Sequence, residues 1–498
     1  MHFHIPYHSN LERYPTKLLA LYHALRDSIV EGVLERGTRL PSTRELASAY
    51  GLSRGTVNQV YEMLAAEGYV DCRTGSGTYV AFRRSTRTSG AGAAAAQPEE
   101  APAYPLSPWS RRLGPPPGEP VHGGGEAPSS RPGSGAFIDF HYFAPDLSGF
   151  PREEWNRCLH AAVRGEPAAR LLDEPAQGWE PLREAIAQYL RRARGLAAEP
   201  GQIAITGGSV QAIALLAQLL IGPGEAAVVE TPSYGGFRRA VRAAGGRCID
   251  APIDGEGIIP AAWDARVLFV TPTRQFPTGA VLSLERRQRL LEWADAKGAV
   301  IIEDDYDSEF RHRGKSLEPL RVLGGEERVV YVGSFTKSLL PPTRLGYAVL
   351  PPPLVEPFTR AQALFEPFPV NLLEQKALAA FMAGGAYERH LRRMKRSYGR
   401  KFHLLSELVK RELGSLVDWT ESDAGLHLFG WWRGGEAEYR AFRSAGEAEG
   451  VRWSETEAEL GGQRRFGLYL NFPHLTEEQI REGVRRMVRG GGRSGQRS

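Results

Sequence analysis

The sequence predicts a multidomain chain: a small, largely helical N-terminal domain closed by a two-stranded hairpin, a linker, and a large α/β domain with a small C-terminal α+β subdomain. Three observations carry that reading. Amphipathic helical stretches and a glycine-centred hairpin occupy residues 12–82, and the composition turns to Ala, Gly, Pro and Ser across 83–136. Over 137–490, short apolar runs alternate with helical stretches. At 498 residues the chain is long enough for two or three domains with cores of their own.

Bulk properties exclude several classes. A hydrophobic content of 42% with 24% charged residues is that of an ordinary soluble globular protein. The net charge of +4 rules out a polycation, so any nucleic-acid contact must come from a local surface. Cys72, Cys158 and Cys248 are odd in number and far apart, which argues against a disulfide framework or zinc site and fits a reducing cytoplasm. The opening "MHFHIPYHSNLERY" lacks the apolar core of a signal peptide. The longest apolar run, "AIALLAQLLIG", is too short to span a bilayer. His2, His4 and His8 alternate on what reads as a mobile terminus, and no metal site is expected there.

In the N-terminal domain, "KLLALYHALRDSIVEG" reads as a helix stopped by glycine. "RLPSTRELASAYG" follows, with Ser42 and Glu45 at capping-box spacing for a second helix. "LSRGTVNQVYEMLAAEG" then supplies a tight turn and a third helix. Two short helices joined by a glycine turn suit helix-turn-helix geometry, in which the second enters the major groove. "YVDCRTGSGTYVA" makes a hairpin around "TGSG", a wing. By spacing alone the pattern favours DNA binding over a small helical domain whose polar face is merely solvated.

The wording is more specific than the spacing. "LPSTRELASAYGLSRGTVNQVYEMLAAEGYV" followed by "GSGTYV" closely resembles the winged helix-turn-helix of the GntR family. The resemblance implies that Arg44, Ser53, Arg54, Thr56 and Asn58 face double-stranded DNA, with Gly75, Ser76 and Gly77 as a wing tip near the backbone. Arginine can make paired bonds to guanine or clamp phosphate, and hydroxyls and helix N-termini hold phosphates. Gly55 stands where the family often has threonine, a change expected to remove one phosphate contact and leave the fold unaltered.

Residues 83–136 read as a flexible linker, with a root-mean-square reach of roughly 40 Å. Beyond it, "PLREAIAQYLRRARG" and "SLERRQRLLEWADAKG" are helices with an apolar stripe and a glycine stop. "QIAITGGS", "AAVVETPSY", "RVLFVTPT", "AVIIEDDYD" and "RVVYVGSFTK" are short, nearly continuous apolar runs, the pattern of parallel strands buried on both faces. Strands alternating with helices give an α/β domain.

The polar residues of this domain fall just past the strand ends, where open α/β sheets bind ligands. They are Gly207, Gly208 and Ser209, then Tyr234, then Asp304, Asp305 and Tyr306, then Ser334, Thr336, Lys337 and Arg344. A glycine turn into a helix N-terminus is an anion site, though alone a weak signal. Pyridoxal 5'-phosphate would use the whole set: a lysine for the Schiff base, a carboxylate for the pyridine nitrogen, phosphate donors, an aromatic and a phenol. A neutral or imine-linked lysine also removes the difficulty of burying Lys337. The competing reading is a buried Asp304–Lys337 ion pair with Arg344 on the surface.

"TPTRQFPTGAVL", "IIEDDYDSEF" and "GSFTKSLLPPTRLGY" resemble the fold-type I aminotransferases, from about Ile138 to the C-terminal helix. By that resemblance Lys337 is the Schiff-base lysine, Asp304 pairs with the pyridine nitrogen, Tyr306 bonds the ring hydroxyl and Tyr234 stacks on the ring. Gly208, Ser209, Val210, Ser334, Thr336 and Arg344 hold the phosphate. Arg464 or Arg465, with Arg465 preferred, would receive an effector carboxylate. Arg274 stands where the family often has histidine, and Pro342 and Thr343 replace the more usual Pro-Gly-Leu wording. These departures are expected near the effector, without touching a cofactor group.

A GntR-type head on an aminotransferase-like body resembles the MocR/GabR class of bacterial transcription regulators. That implies a cytoplasmic, pyridoxal-phosphate-dependent homodimer that binds a DNA operator, with heads able to pack on the partner's body. An amino compound would be the effector, and genes of amino-acid, amine or vitamin B6 metabolism the targets. The rival is an aminotransferase with an accessory DNA-binding head, and slow half-transamination is compatible with either.

Overall fold

The computed structural model describes residues 4–73, 77–83, 107–113, 137–164, 174–314, 316–460 and 462–494. The chain divides into two compact units, Met1–Ala103 and Tyr104–Ser498.

In the first unit, four helices precede the wing: α1 (Tyr7–Arg13), α2 (Lys17–Val30), α3 (Thr43–Tyr50) and α4 (Arg54–Ala66). Each start after the first is set by a hydroxyl that satisfies an otherwise orphaned amide. Thr16 accepts from Leu19 N, Ser53 accepts from Thr56 N, and Ser42 and Glu45 form the expected reciprocal box. Gly51, at φ +63°, ends α3 in a left-handed turn that glycine adopts without strain. Strands β1 (Val70–Arg73) and β2 (Gly77–Val80) pair antiparallel, Val70 opposite Val80. Leu21, Leu25, Leu46, Val57, Val60 and Leu64 form the core with both of those valines.

Residues 4–13 correct the expectation of a mobile segment. Ile5 and Tyr7 are buried in the same core, α1 packs on α2, and Ile5 N donates to the Tyr50 phenol at 3.0 Å. Tyr7, Leu11 and Tyr14 of "HIPYHSNLERY" recur at i, i+4 and i+7, a helical spacing, but the stretch is barely two turns long and the sequence reading passed over it. His4 and His8 are exposed, and His2 lies outside the described residues.

Part of the expected linker is also helical. Within 83–136 the described residues 107–113 carry α5 (Pro108–Arg112), capped by Ser107, and Arg112 Nε donates to Ala243 O at 3.2 Å. That segment belongs with the second unit.

Among the described residues the second unit holds two sheets. The larger contains β4 (Ile203–Thr206), β5 (Ala226–Thr231), β6 (Arg247–Asp254), β7 (Gly257–Ile258), β8 (Val267–Val270), β9 (Val300–Asp305), β10 (Val329–Ser334) and β11 (Gly346–Val349). Their spatial order is β4-β11-β10-β9-β8-β5-β6-β7. The smaller joins β3 (Ile138–Phe140) to β12 (Val417–Trp419), β13 (His427–Trp432), β14 (Val451–Leu460) and β15 (Gln463–Asn471) in the order β12-β13-β15-β14-β3.

The apolar runs follow from double-sided burial, since successive side chains point to opposite faces. Val330 and Val332 enter one core with Ile213, Leu216 and Phe237, whereas Val329 enters another with Leu290 and Trp293. One strand departs from expectation. "QIAIT" runs in the same sense as β10 and the parallel strands beyond it, but among the described residues it pairs only with the antiparallel β11, a strand hidden in the sequence inside "RLGYAVL".

Helices between the strands are α6 (Arg152–Arg164), α7 (Glu180–Arg194), α8 (Ser209–Leu220), α9 (Gly235–Ala244) and α10 (Leu284–Lys297). After β11 come α11 (Pro352–Phe365), α12 (Leu372–Ala383), the long α13 (Ala386–Leu413), α14 (Glu436–Ala448) and α15 (Glu477–Ser494). Gly195 and Gly298 close α7 and α10 in left-handed caps, as their sequences predict. No described helix is long and apolar enough to cross a membrane.

Candidate functional site

Register brings the residues expected to bind an anion together. Thr206 on β4 lies opposite Gly346 on β11, and Gly346 lies opposite Ser334 on β10. The turn Gly207–Ser209, Arg344 and Ser334 therefore meet at one corner of the sheet, although more than 120 residues separate the first from the last. Gly208 has φ +106°, and a Cβ there would sit 2.9 Å from Arg344 Nη2. Only a glycine lets the guanidinium lie against the start of α8, where free amides and the helix dipole already favour an anion. Ser209 is half-buried and Val210 is exposed.

Arg344 is held in an uncommon conformation. Its φ is +46°, a region L-residues seldom occupy. The 3₁₀ turn Pro341–Thr343 delivers it there, and Asn371 Nδ2 donates to the carbonyls of Thr343 and Arg344 at 3.0 and 3.2 Å. Pro342 and Thr343 thus shape the approach of Arg344 itself. Ser334 Oγ and Thr336 Oγ1 lie 3.0 Å apart beside this corner.

Asp304 and Asp305 end β9 and face opposite ways. Asp305 binds Arg194 at 2.8 Å, the Tyr331 phenol at 2.5 Å and the Thr273 hydroxyl at 3.0 Å. Asp304 is buried with Oδ1 unbonded among the described residues, and burial, helped by Asp305, Asp307 and Glu230, pushes its carboxyl up to about 7. A buried carboxylate oxygen without a donor is costly unless a cationic or N–H partner meets it.

Lys337 follows β10 through Ser334–Thr336. Its Nζ donates to Phe143 O at 3.1 Å and stands 3.3 Å from the centroid of the Phe143 ring. Burial brings the ammonium down to about 7, against a smaller opposing pull from Asp307. Lys337 and Asp304 form no ion pair among the described residues, so the simpler reading of a mutual buried pair is set aside. The surface half of that reading holds for Arg344, which is exposed.

Tyr306 Oη accepts from Arg274 Nη1 at 2.8 Å, and burial raises its phenol pKa well above the ordinary value. Arg274 therefore does touch a proposed cofactor group, contrary to the expectation that it lies apart from them. Tyr234 stands at the start of α9, edge-on to Phe276 with ring centroids 6.3 Å apart. Phe276 also meets Tyr306 and Tyr469 edge-on, each at 5.6 Å, and His427 at 5.5 Å. The sequence reading missed this aromatic wall; the one available signal was Phe276 within "QFPTG". Arg464 is committed to Glu457 and Glu436, whereas Arg465 stacks over Trp431 at 5.3 Å, and Trp431 packs on the same wall.

In the first unit, α4 presents Ser53, Arg54, Gly55 and Asn58 to solvent while Val57, Val60, Tyr61 and Leu64 are buried. Arg44 on α3 is exposed and Thr56 half-buried. Ser53 and Thr56 hydroxyls are 2.8 Å apart, and Asn58 Nδ2 donates to Glu62 Oε1 at 2.7 Å. A Cβ on Gly55 would meet only Ser53 Oγ, at 3.8 Å. Gly75 and Ser76 lie outside the described residues. Gly77, at φ +109°, opens β2, and its Cβ would sit 2.9 Å from Arg39 Nε. Arg39, exposed beside the wing, escaped the sequence reading because 38 residues separate it from Gly77.

These two surfaces match known families. The model for aminotransferase class I and II covers residues 156–487, and that for bacterial regulatory proteins of the gntR family covers residues 18–80. The probable rhizopine catabolism regulatory protein MocR of Rhizobium meliloti is 33% identical over 473 residues, 93% of this chain and 91% of that one. The chain belongs to the MocR-type family. A gntR-family head on an aminotransferase-fold body makes this MocR-type chain a DNA-binding transcriptional regulator. The HTH-type pyridoxine biosynthesis regulator PdxR of Corynebacterium glutamicum is also 33% identical, over 83% of this MocR-type chain and 82% of its own. Among solved structures, the α-aminoadipate aminotransferase LysN of Thermus thermophilus, complexed with N-(5'-phosphopyridoxyl)-L-leucine, superposes with a TM-score of 0.67 at 25% identity. That match spans 78% of this chain and 98% of LysN.

Proposed function

We propose that this regulator binds pyridoxal 5'-phosphate at Lys337 and uses the cofactor, or its product with an amino compound, as the signal that sets operator affinity. The observation that carries the reading is Asp304 Oδ1, buried and unbonded at the same sheet edge as Lys337. A protonated pyridine nitrogen is the partner that oxygen lacks. When bound, the cofactor supplies an aldehyde that condenses with amines and a ring that draws electrons from the new bond.

The chain's own residues supply the rest. Lys337, with its ammonium brought down to about 7, offers a substantial neutral fraction at physiological pH, which linkage to an aldehyde requires. Asp304 would hold the proton on the ring nitrogen, and Tyr306 would donate to the ring hydroxyl. Tyr234 would cover a ring face. Gly208, Ser209, Val210, Ser334, Thr336 and Arg344 would receive the phosphate. Arg465 is a better candidate than Arg464 for an effector carboxylate, because Arg464 already has two carboxylate partners.

In the head, Arg44, Ser53, Arg54, Thr56, Asn58 and the wing residues Gly75, Ser76 and Gly77 would contact the operator, with Arg39 added at the wing. A cytoplasmic homodimer would present two heads to paired half-sites. An amino compound shifts such a regulator only if it binds two conformations with different affinity.

The deciding experiment measures binding to DNA upstream of the chain's own and neighbouring genes, with and without pyridoxal phosphate and candidate amines. A change in affinity or footprint with cofactor state, lost in Lys337→Ala, is the expected result. A footprint indifferent to every cofactor state would end the sensor reading. Steady turnover of amino donors and 2-oxo acids without any footprint would favour the enzyme instead.

A further inference from the structure

Arg274 lies between β8 and the turn "QFPTG", its side chain buried and its donors spent in two directions. Toward the larger sheet, Nη1 donates to the Tyr306 phenol at 2.8 Å and pairs with Asp307 at 3.1 Å. Toward the smaller sheet, Nη2 donates to His427 O at 2.8 Å and Nε to Ala424 O at 3.1 Å, on the segment that enters β13. Gly425, at φ +100°, makes the space: a Cβ there would collide with the guanidinium. The His427 ring gives Nε2 to Pro277 O at 2.8 Å, a bond that needs the proton on Nε2 and leaves Nδ1 as the acceptor.

A guanidinium has donors only, so the Tyr306 oxygen must accept from Arg274. The phenol's single proton is then free to point only elsewhere. We propose that Arg274 is a positioning residue that makes the Tyr306 phenol an obligate donor toward the cofactor's ring hydroxyl and anchors that phenol to the C-terminal sheet. The inference rests on the cofactor reading above. It has a measurable consequence at the Lys337 linkage. With the cofactor bound, a protonated linkage nitrogen would itself donate to the ring oxygen, whereas a deprotonated one would leave that oxygen charged and reliant on the Tyr306 donor. Arg274 thus favours the deprotonated linkage, both by strengthening that donor and by neutralising Asp307. The other ionisable groups facing this junction are Asp304 and Lys337 in the pocket, and His427 and His312, both held toward the neutral form by burial.

The test is a pH titration of the absorbance of full-length protein loaded with pyridoxal phosphate, for wild type, Arg274→Gln, Arg274→Lys, and each variant combined with Tyr306→Phe. Arg274→Gln should raise the linkage pKa by about one unit. Arg274→Lys keeps Asp307 neutralised but cannot serve the phenol and both carbonyls together. It should give a smaller rise that vanishes in the Tyr306→Phe background. Wild-type values in both single variants would overturn the proposal, as would an undiminished Arg274→Lys effect without the phenol. Failure of both variants to load cofactor would leave Arg274 a purely structural part and overturn it too. If wild-type protein shows no Lys337-dependent band, the cofactor reading itself falls.

Discussion

Asp304 and Asp305 are neighbours on one strand, yet among the described residues Asp305 binds Arg194, Tyr331 and Thr273 while Asp304 Oδ1 has no partner. The two-residue period of a strand sends the two carboxylates to opposite faces, one of them into the cluster of Arg194, Tyr331 and Thr273. Their substitutions should therefore act in opposite directions on cofactor-free protein.

Asp304→Asn should weaken pyridoxal phosphate binding and stabilise the cofactor-free fold above neutral pH. The folded carboxyl, at about 7, lies above its ordinary 3.8. The folded state thus holds a proton that the unfolded chain has lost between about pH 4 and 7. This group's contribution to stability falls as pH rises through that window and is level above it. Denaturant titrations should find the variant more stable at pH 8 by roughly 4 kcal/mol and equal to wild type near pH 4.

Asp305→Asn removes the charge facing buried Arg194 and should cost about 3 kcal/mol of stability. Cofactor absorbance in the surviving folded fraction should be normal. A variant as stable as wild type would show that Arg194 has another way to be satisfied.

Lys337 should react with pyridoxal phosphate at a rate that rises as its amine deprotonates. With the ammonium brought down to about 7, the rate should reach half its maximum near pH 7 and level off above, far below the ordinary 10.5 of lysine. Stopped-flow absorbance across pH 5 to 10 is the measurement. A rate still climbing at pH 9 would mean the amine is solvated like a surface lysine.

Arg344→Ala should lower affinity for pyridoxal phosphate about tenfold to a hundredfold, the usual worth of one or two bonds to a charged group. Affinity for unphosphorylated pyridoxal should hardly change. Equal losses for both ligands would place Arg344 outside the phosphate corner.

In the head, Arg54→Ala should reduce the salt dependence of operator binding by about one phosphate contact, leaving the cofactor spectrum untouched. Ser53→Ala removes the cap of α4 and should cost about 1 kcal/mol of helix stability. Fluorescence anisotropy over a salt series separates a lost contact, which flattens the slope, from a loosened helix, which lowers affinity at every salt concentration.

Local chemistry in the sequence determined most of the secondary structure: the Ser42–Glu45 box, the glycine stops at 195 and 298, the hairpin of the wing, and strands whose unbroken apolar runs announce burial on both faces. It also named the residues at the strand ends, because "DDY", "SFTK" and "GGS" each follow such a run. Tertiary structure decided which of those residues meet. The row Thr206–Gly346–Ser334 depends on β11 running antiparallel between two other strands, and no periodicity in "RLGYAVL" specifies a partner. Sequence could not separate Asp304 from Asp305, since strand phase is fixed by packing on both faces. Nor could it place Arg274 against Tyr306 and the strand at His427, because that junction closes over 150 residues of chain. Short-range patterns are set by dihedral preference and side-chain alternation; long-range contacts are set by which buried faces fit together, and that fit belongs to the whole fold.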